Sequence, residues 1–330
     1  MMPGNKRCLV TGGAGFIGSH LAERLQTLGY DVTVLDNHYS GGMDAWKRRN
    51  PQIRYVEGDM VHESLVAQLV HDHEIVFHLA AILGVKTTVT EPLRMMETNL
   101  HGTMNVLKHA AANGAKVIFA STSEVYGKGE PPFSEETDRL YGPTTKMRWS
   151  YAVEKTFEES ICLAYGLRGL PVTVVRYFNV YGPRAKEGAY GGVIPRFIRA
   201  ALNGEPIQVY GDGTQTRSFT YVSDAVEATI AAMREKANQE IVNIGSEHEI
   251  SIGELAQLIQ KETGTSSPII HVPFEQVYPT GFEEIPKRLP DLTKARNLLG
   301  YAPQVGFAEG LQKTIAWYRN EQQEGEGISS

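Results

Sequence analysis

Short, continuous apolar runs punctuate the first part of the chain. Cys8-Leu9-Val10 comes first, then Val32-Thr33-Val34-Leu35, Ile53-Arg54-Tyr55-Val56, Ile75-Val76-Phe77-His78-Leu79, Val117-Ile118-Phe119-Ala120 and Val172-Thr173-Val174-Val175. Between them lie longer segments with helical spacing of apolar positions, such as Phe16 to Leu28. Strands that do not alternate with polar residues are covered on both faces, which is the mark of a parallel sheet. Joined by right-handed crossovers, they predict an α/β fold with a doubly wound parallel (Rossmann) sheet. After about residue 180 the rhythm changes: Pro and Gly become denser, and helices are expected around Ile194–Leu202, Asp224–Met233, Ile252–Glu262 and Glu309–Tyr318. No fixed period recurs, so this part reads as a smaller C-terminal α/β lobe rather than a repeat array. The expected division is 1–180 for a nucleotide-binding domain, 181–320 mainly for a substrate lobe with some chain crossing between the two, and 321–330 for a polar, flexible tail.

Composition narrows the class. Lys plus Arg is 32 and Asp plus Glu is 38, a net charge of −6, which argues against a nucleic-acid partner. Two cysteines, Cys8 and Cys162, cannot form a disulfide scaffold and read as core residues. The ten histidines show no HExxH or comparable spacing, so no metal is expected. No apolar run approaches the roughly 20 residues that span a bilayer, and the N-terminal residues do not read as a signal peptide, so the expectation is a cytoplasmic protein without a membrane partner. Glycine is abundant, 33 of 330 residues, which directs attention to phosphate-cradling loops.

The first βα junction carries such a loop. Glycines at 12, 15 and 18 let the backbone turn sharply and approach a pyrophosphate at a helix N-terminus, with Gly18 allowing close helix–strand packing. Asp36, at the end of the second strand, can accept both adenosine ribose hydroxyls and would repel a 2′-phosphate. NAD is therefore favoured over NADP. Further along, Tyr151 is the only one of 15 tyrosines with Lys four residues later. Chance alone supplies about one such pair, so position carries the argument: the pair lies on a predicted helix that follows the strand Val117–Ala120 and Ser121-Thr122-Ser123. At i, i+4 the phenol and ammonium share a face, and the cation favours a phenolate that takes a proton from a sugar hydroxyl as hydride leaves.

These motifs resemble the extended short-chain dehydrogenase/reductases that act on nucleotide sugars. The likeness runs through Thr11 to Gly18, Gly58-Asp59, His78 to Ala81, Asn99, Tyr151/Lys155, Arg176 to Pro183 and Gly211 to Arg217. It implies a cofactor site formed by Gly12, Gly15, Phe16, Ile17, Gly18, Asp36, Asn37, Asp59, Met60, Leu79, Ala80, Ala81, Asn99, Tyr151 and Lys155. It also implies a UDP-sugar site formed by Asn179, Val193, Tyr210, Arg217 and Arg288, and a homodimer built on the helices around 95–112 and 150–166.

Within that family, Thr122-Ser123-Glu124 resembles the UDP-glucuronate decarboxylases. Ser123 stands where 4,6-dehydratases carry an acid, and Glu124 stands where plain 4-epimerases usually carry a small or hydroxyl residue. Lys287-Arg288-Leu289-Pro290-Asp291 resembles the decarboxylases' R-x-P-D segment, and Lys146 to Tyr151 resembles the enzyme of lipid A modification. The implied catalytic set is Tyr151 as base, Lys155 as its electrostatic partner and Thr122 on the C4 oxygen, with Ser123, Glu124 and Arg288 around the carboxylate. A substrate carboxylate beside Glu124 would either destabilise the ground state or raise the pKa of Glu124. The expected activity is NAD-dependent UDP-glucuronate decarboxylation, with the 4-ketone released or reduced to UDP-xylose. Alternatives are a 4-epimerase of UDP-glucuronate or UDP-glucose and a non-catalytic NAD-binding scaffold.

Overall fold

A computed structural model describes residues 6–39, 44–186, 192–278 and 283–326. Seven parallel strands form the central sheet. Six are β1 (Arg7–Thr11), β2 (Asp31–Asp36), β3 (Arg54–Glu57), β4 (Ile75–His78), β5 (Lys116–Thr122) and β6 (Val172–Tyr177). The seventh, Glu240–Ile244, comes from the second half of the chain and pairs with β6, so the sheet order is Glu240–Ile244, β6, β5, β4, β1, β2, β3. The order reverses between β1 and β4, and the crevice outside the strand C-termini at that point is where such folds bind ligands. β4 is buried at all four positions and β1 at four of five, as strands covered on both faces must be.

The flanking helices follow from local chemistry. Pro92 opens the helix Pro92–Asn113, where a missing N–H costs nothing, and Gly114 closes it with φ +69°. Its buried residues include Met95, Asn99, Gly102, Thr103, Val106 and Ala110, one stripe at helical spacing. Ser251 and Glu254 form a reciprocal capping box on Ile252–Thr263. Large aliphatic and aromatic side chains fill both faces of the sheet, among them Leu9, Val10, Leu25, Phe77 and Phe119, all fully buried.

Among the described residues, three small sheets lie outside the central one. One pairs Val180–Tyr181 with Thr220–Tyr221, and another pairs Ile207–Tyr210 with Ile269–Val272. In the third, Thr216–Ser218 lies between Glu249–Ser251 and Lys287–Arg288. The stretch expected to be a flexible tail departs from that expectation: the last helix, Phe307–Glu326, runs well into it. Docking accounts for this, since Gln322 donates to Asn203 Oδ1 at 2.7 Å and Arg319 to the Thr263 carbonyl at 2.8 Å. Residues 327–330 lie outside the described residues. No helix among the described residues is long and apolar enough to cross a membrane.

Candidate active site

A cavity of about 580 Å³ opens at the switch point between β1 and β4. Gly12, Gly15, Phe16, Ile17 and Gly18 form part of its wall. Gly12 adopts φ +69°, and a Cβ there would lie 2.7 Å from the Ala80 backbone nitrogen. A Cβ on Gly18 would lie 2.2 Å from the Gly12 carbonyl oxygen, so both positions require glycine for the loop to close on the sheet. No side chain caps the helix Phe16–Thr27, which leaves its first N–H groups and dipole for an anion. At the end of β2, Asp36 accepts from the Ala14 N–H at 3.0 Å and the His38 N–H at 2.9 Å. Asn37 donates to Asp59 at 2.8 Å. Asp36, Asn37, Asp59, Met60, Leu79, Ala80 and Ala81 all reach the cavity. A glycine cradle with open N–H groups, a strand-end carboxylate and an apolar wall fit a dinucleotide such as NAD. Asn99 sits elsewhere: buried, it accepts from the Ile82 N–H at 2.7 Å and donates to the Ile82 carbonyl at 2.9 Å, fixing the loop after β4 from beneath. Gly18→Ala is expected to abolish NAD binding in a calorimetric titration, because the loop must move off the helix; unchanged affinity would show that the close packing is dispensable.

Tyr151 and Lys155 lie on the cavity wall, carried by the helix Ser150–Gly166. Burial pushes the Tyr151 phenol upward, and Lys155 opposes that shift only in part. The Lys155 ammonium sits 2.8 Å from the Glu158 carboxylate and 4.6 Å from the Phe119 ring centroid. Burial alone would lower its pKa, but the Glu158 carboxylate overcompensates and holds it charged. Thr103 donates to Glu158 and bonds His78, which in turn bonds Thr11 at 2.7 Å. Burial, with Lys155 adding to it, lowers the pKa of His78 to about 4, so the chain is carried by a neutral imidazole. Glu154 is driven upward by burial and by Glu158 and stays protonated. Glu154 and Glu158 are absent from the sequence reading. Acids flanking a lysine on a helix look like a solvated face, and only the packing of the helix Pro92–Asn113 against this one buries them.

At the other end of the cavity, Glu124 bridges two guanidinium groups. Its Oε1 lies 2.5 Å from Arg288 Nη1 and its Oε2 lies 2.8 Å from Arg148 Nη2. Burial would raise the Glu124 pKa, but Arg148 and Arg288 drive it down to about 2. The protein's own charges therefore do not raise the Glu124 pKa, and this carboxylate is ionised. Thr122 accepts from the Glu124 N–H at 3.2 Å and so caps the turn Ser123–Tyr126. Ser123 is buried, and neither Thr122 nor Ser123 forms part of the cavity wall, while Ser121 and Glu124 do.

Sheet register sets Arg288 directly opposite Arg217 on the neighbouring strand. Burial and the repulsion of Arg288 lower the Arg217 pKa to about 10, and an ion pair with Glu284 partly restores it. Asn179, with φ +36°, donates to the Ser218 carbonyl at 2.9 Å. Arg196 stacks 3.6 Å above the Tyr210 ring, and Val193 opens the adjacent helix. Asn179, Val193, Tyr210, Arg217 and Arg288 all line the same cavity as Tyr151. Among the described residues, no cluster of three or more His, Cys, Asp or Glu side chains is arranged to hold a metal ion.

Comparison with known proteins places this arrangement. The model of the NAD dependent epimerase/dehydratase family matches residues 8–245. The chain is 60% identical over 314 residues to the UDP-N-acetyl-alpha-D-glucosaminuronate decarboxylase of Bacillus cytotoxicus, covering 95% of this chain and 98% of that protein. It is 37% identical over 321 residues to UDP-glucuronic acid decarboxylase 1 of Xenopus tropicalis, covering 96% of this chain and 73% of that one. A solved mutant of UDP-glucuronic acid 4-epimerase from Bacillus cereus, in complex with UDP-4-deoxy-4-fluoro-glucuronic acid and NAD, superposes with a TM-score of 0.82 at 28% identity, covering 96% of this chain and 99% of that one. The chain belongs to the NAD dependent epimerase/dehydratase family.

Proposed function

We propose that this enzyme is an NAD-dependent decarboxylase of a UDP-hexuronate. The observation that carries the reading is the buried contact of Arg288 with Glu124 in the cavity that also holds Tyr151 and Lys155. The likeness to two decarboxylases of UDP-uronic acids supports it. The proposal assigns the cofactor to the first 180 residues and the sugar nucleotide mainly to residues 181–320.

NAD held along the glycine loop supplies an acceptor for hydride from C4 and, once reduced, a donor for a return step. Tyr151 takes the proton of the C4 hydroxyl, and Lys155 supplies the positive charge that favours the phenolate. Thr122 is set back from the cavity wall and acts through the turn it caps, which holds Glu124 in place. A ketone at C4 stands β to the C6 carboxylate. The C5–C6 bond then breaks, its electron pair passes into the enolate, and CO2 departs. Glu124 positions the carboxylate or a water, with Ser123 buried behind it, and Arg288 helps return a proton to C5. Asn179, Val193, Tyr210 and Arg217 hold the UDP moiety, with Arg217 pairing to the diphosphate.

The higher identity to the N-acetylglucosaminuronate enzyme favours a 2-acetamido sugar over a 2-hydroxy one. Supplying UDP-N-acetylglucosaminuronate and UDP-glucuronate side by side tests this; faster turnover of the first is expected, and exclusive turnover of the second would reverse the assignment. A 4-epimerase is the second reading, favoured by the likeness to the Bacillus cereus enzyme. The proposal includes a homodimer, supported by exposed Met104, Val153 and Phe157 on adjacent helices. Phe157→Glu is expected to halve the mass in solution by analytical ultracentrifugation, and an unchanged mass would place the interface elsewhere. A cytoplasmic location is part of the reading, supported by two buried, unbridged thiols.

A further inference from the structure

We infer that Glu158 is a positioning residue of the catalytic pair: it anchors the Lys155 ammonium on the helix face shared with Tyr151, and a chain of hydrogen bonds from the cavity wall holds Glu158 to that task. The inference rests on Tyr151 and Lys155 acting as proposed above and goes beyond it in saying what fixes the lysine. On the helix Ser150–Gly166, Tyr151 lies one turn before Lys155 and Glu158 one turn after it, so the lysine stands between the phenol and the carboxylate. An ammonium on a flexible four-carbon stem has no fixed geometry of its own, so its anchor decides where its charge stands. Here the ammonium is 2.8 Å from the Glu158 carboxylate, with side-chain exposures of 3% and 0%.

A fully buried carboxylate is costly unless a cation and hydrogen-bond donors hold it. Thr103, on the helix Pro92–Asn113, donates its hydroxyl hydrogen to one Glu158 oxygen, while the other oxygen faces Lys155. With that hydrogen committed, Thr103 accepts from His78 Nε2 at 3.0 Å. A neutral imidazole has a single N–H, so His78 Nδ1 accepts from the Thr11 hydroxyl at 2.7 Å. Thr11 in turn accepts from the Ala80 N–H at 3.3 Å. Every donor in the chain therefore points towards Glu158, and together they favour the ionised carboxylate that Lys155 needs. Glu154, the residue before Lys155, is protonated and offers no second counter-charge. The chain starts at the cofactor end of the cavity: Ala80 lines it, and Thr11 immediately precedes Gly12. The ends of β1 and β4 thus set the place of the catalytic lysine, which gives Thr11 and His78 a task that their motifs leave open.

The test is a double-mutant cycle on kcat for whichever of UDP-glucuronate and UDP-N-acetylglucosaminuronate turns over faster, with calorimetry of UDP binding to the NAD-loaded enzyme. Glu158→Gln is expected to lower kcat roughly 30-fold, as a displaced catalytic group does, while UDP affinity stays within about threefold of wild type. In a Lys155→Met background the same substitution changes kcat by less than about threefold, because it acts only through the lysine. Glu154→Gln replaces an acid that is already neutral, so its kcat stays within about threefold of wild type. Equal losses from Glu158→Gln in both backgrounds would make Glu158 merely structural and overturn the inference. Wild-type kcat in Glu158→Gln, or a greater loss from Glu154→Gln, would overturn it as well. Should Glu158→Gln not fold, Thr103 decides: Thr103→Val keeps the shape, removes the hydroxyl and lowers kcat about tenfold, whereas Thr103→Ser keeps wild-type kcat. Equal kcat in those two variants contradicts the inference. A Lys155→Met variant with wild-type turnover would instead overturn the reading of Lys155 on which the inference rests.

Discussion

Replacing Tyr151 by Phe lowers kcat by about a thousandfold, the usual worth of a positioned acid–base group, and leaves the affinity for UDP nearly unchanged. The phenol sits half-buried on the cavity wall, and the substitution removes one oxygen without altering shape. Arg217 and Tyr210, which belong to the UDP end of the proposal, do not depend on it. Steady-state kinetics with calorimetry of UDP binding separates the two effects. A variant that keeps a tenth or more of wild-type turnover would mean that another group takes the C4 proton. Because burial holds the phenol in its protonated form and Glu158 offsets part of the Lys155 charge, substrate and cofactor must complete the electrostatics that release the proton.

Glu159→Ala is expected to cost about 3–5 kcal/mol of stability, since it strips a buried charge of its partner. Arg176 is fully buried and makes two bonds to Glu159, from Nε at 2.8 Å and from Nη2 at 2.6 Å. Glu159 also accepts from Ser121 at 2.6 Å, and Arg176 reaches Tyr126 at 2.9 Å. The pair thereby ties β6 and the end of β5 to the helix that carries Tyr151 and Lys155. Urea unfolding of wild type and variant, read by circular dichroism, measures the loss. A difference under about 1 kcal/mol would mean that water reaches Arg176 in the variant and replaces the carboxylate.

Much of the sheet was legible because its strands are buried on both faces and therefore read as unbroken apolar runs. Glu240–Ile244 escaped, since it joins the sheet from beyond the expected domain boundary and its Asn243 breaks the apolar run; in the fold, Asn243 is satisfied by Glu135, Phe133 and Tyr126. The glycine loop and the Tyr151/Lys155 pair were legible because their chemistry is set within a few residues. Glu154, Glu158 and Glu284 were not. Each is an ordinary charged residue by sequence, and only packing places it in low dielectric beside another charge. The same holds for Asn99, which the motif sets beside the cofactor but the fold places beneath the Ile82 backbone.

The central claim is that the C5–C6 bond breaks. UDP-glucuronate and UDP-N-acetylglucosaminuronate carrying carbon-13 at C6 are incubated with enzyme and NAD and followed by carbon NMR. The account predicts that the label leaves as CO2 and bicarbonate while the nucleotide sugar becomes a pentose derivative. A labelled carboxylate that stays on the sugar while the C4 configuration inverts would contradict it and make the enzyme a 4-epimerase.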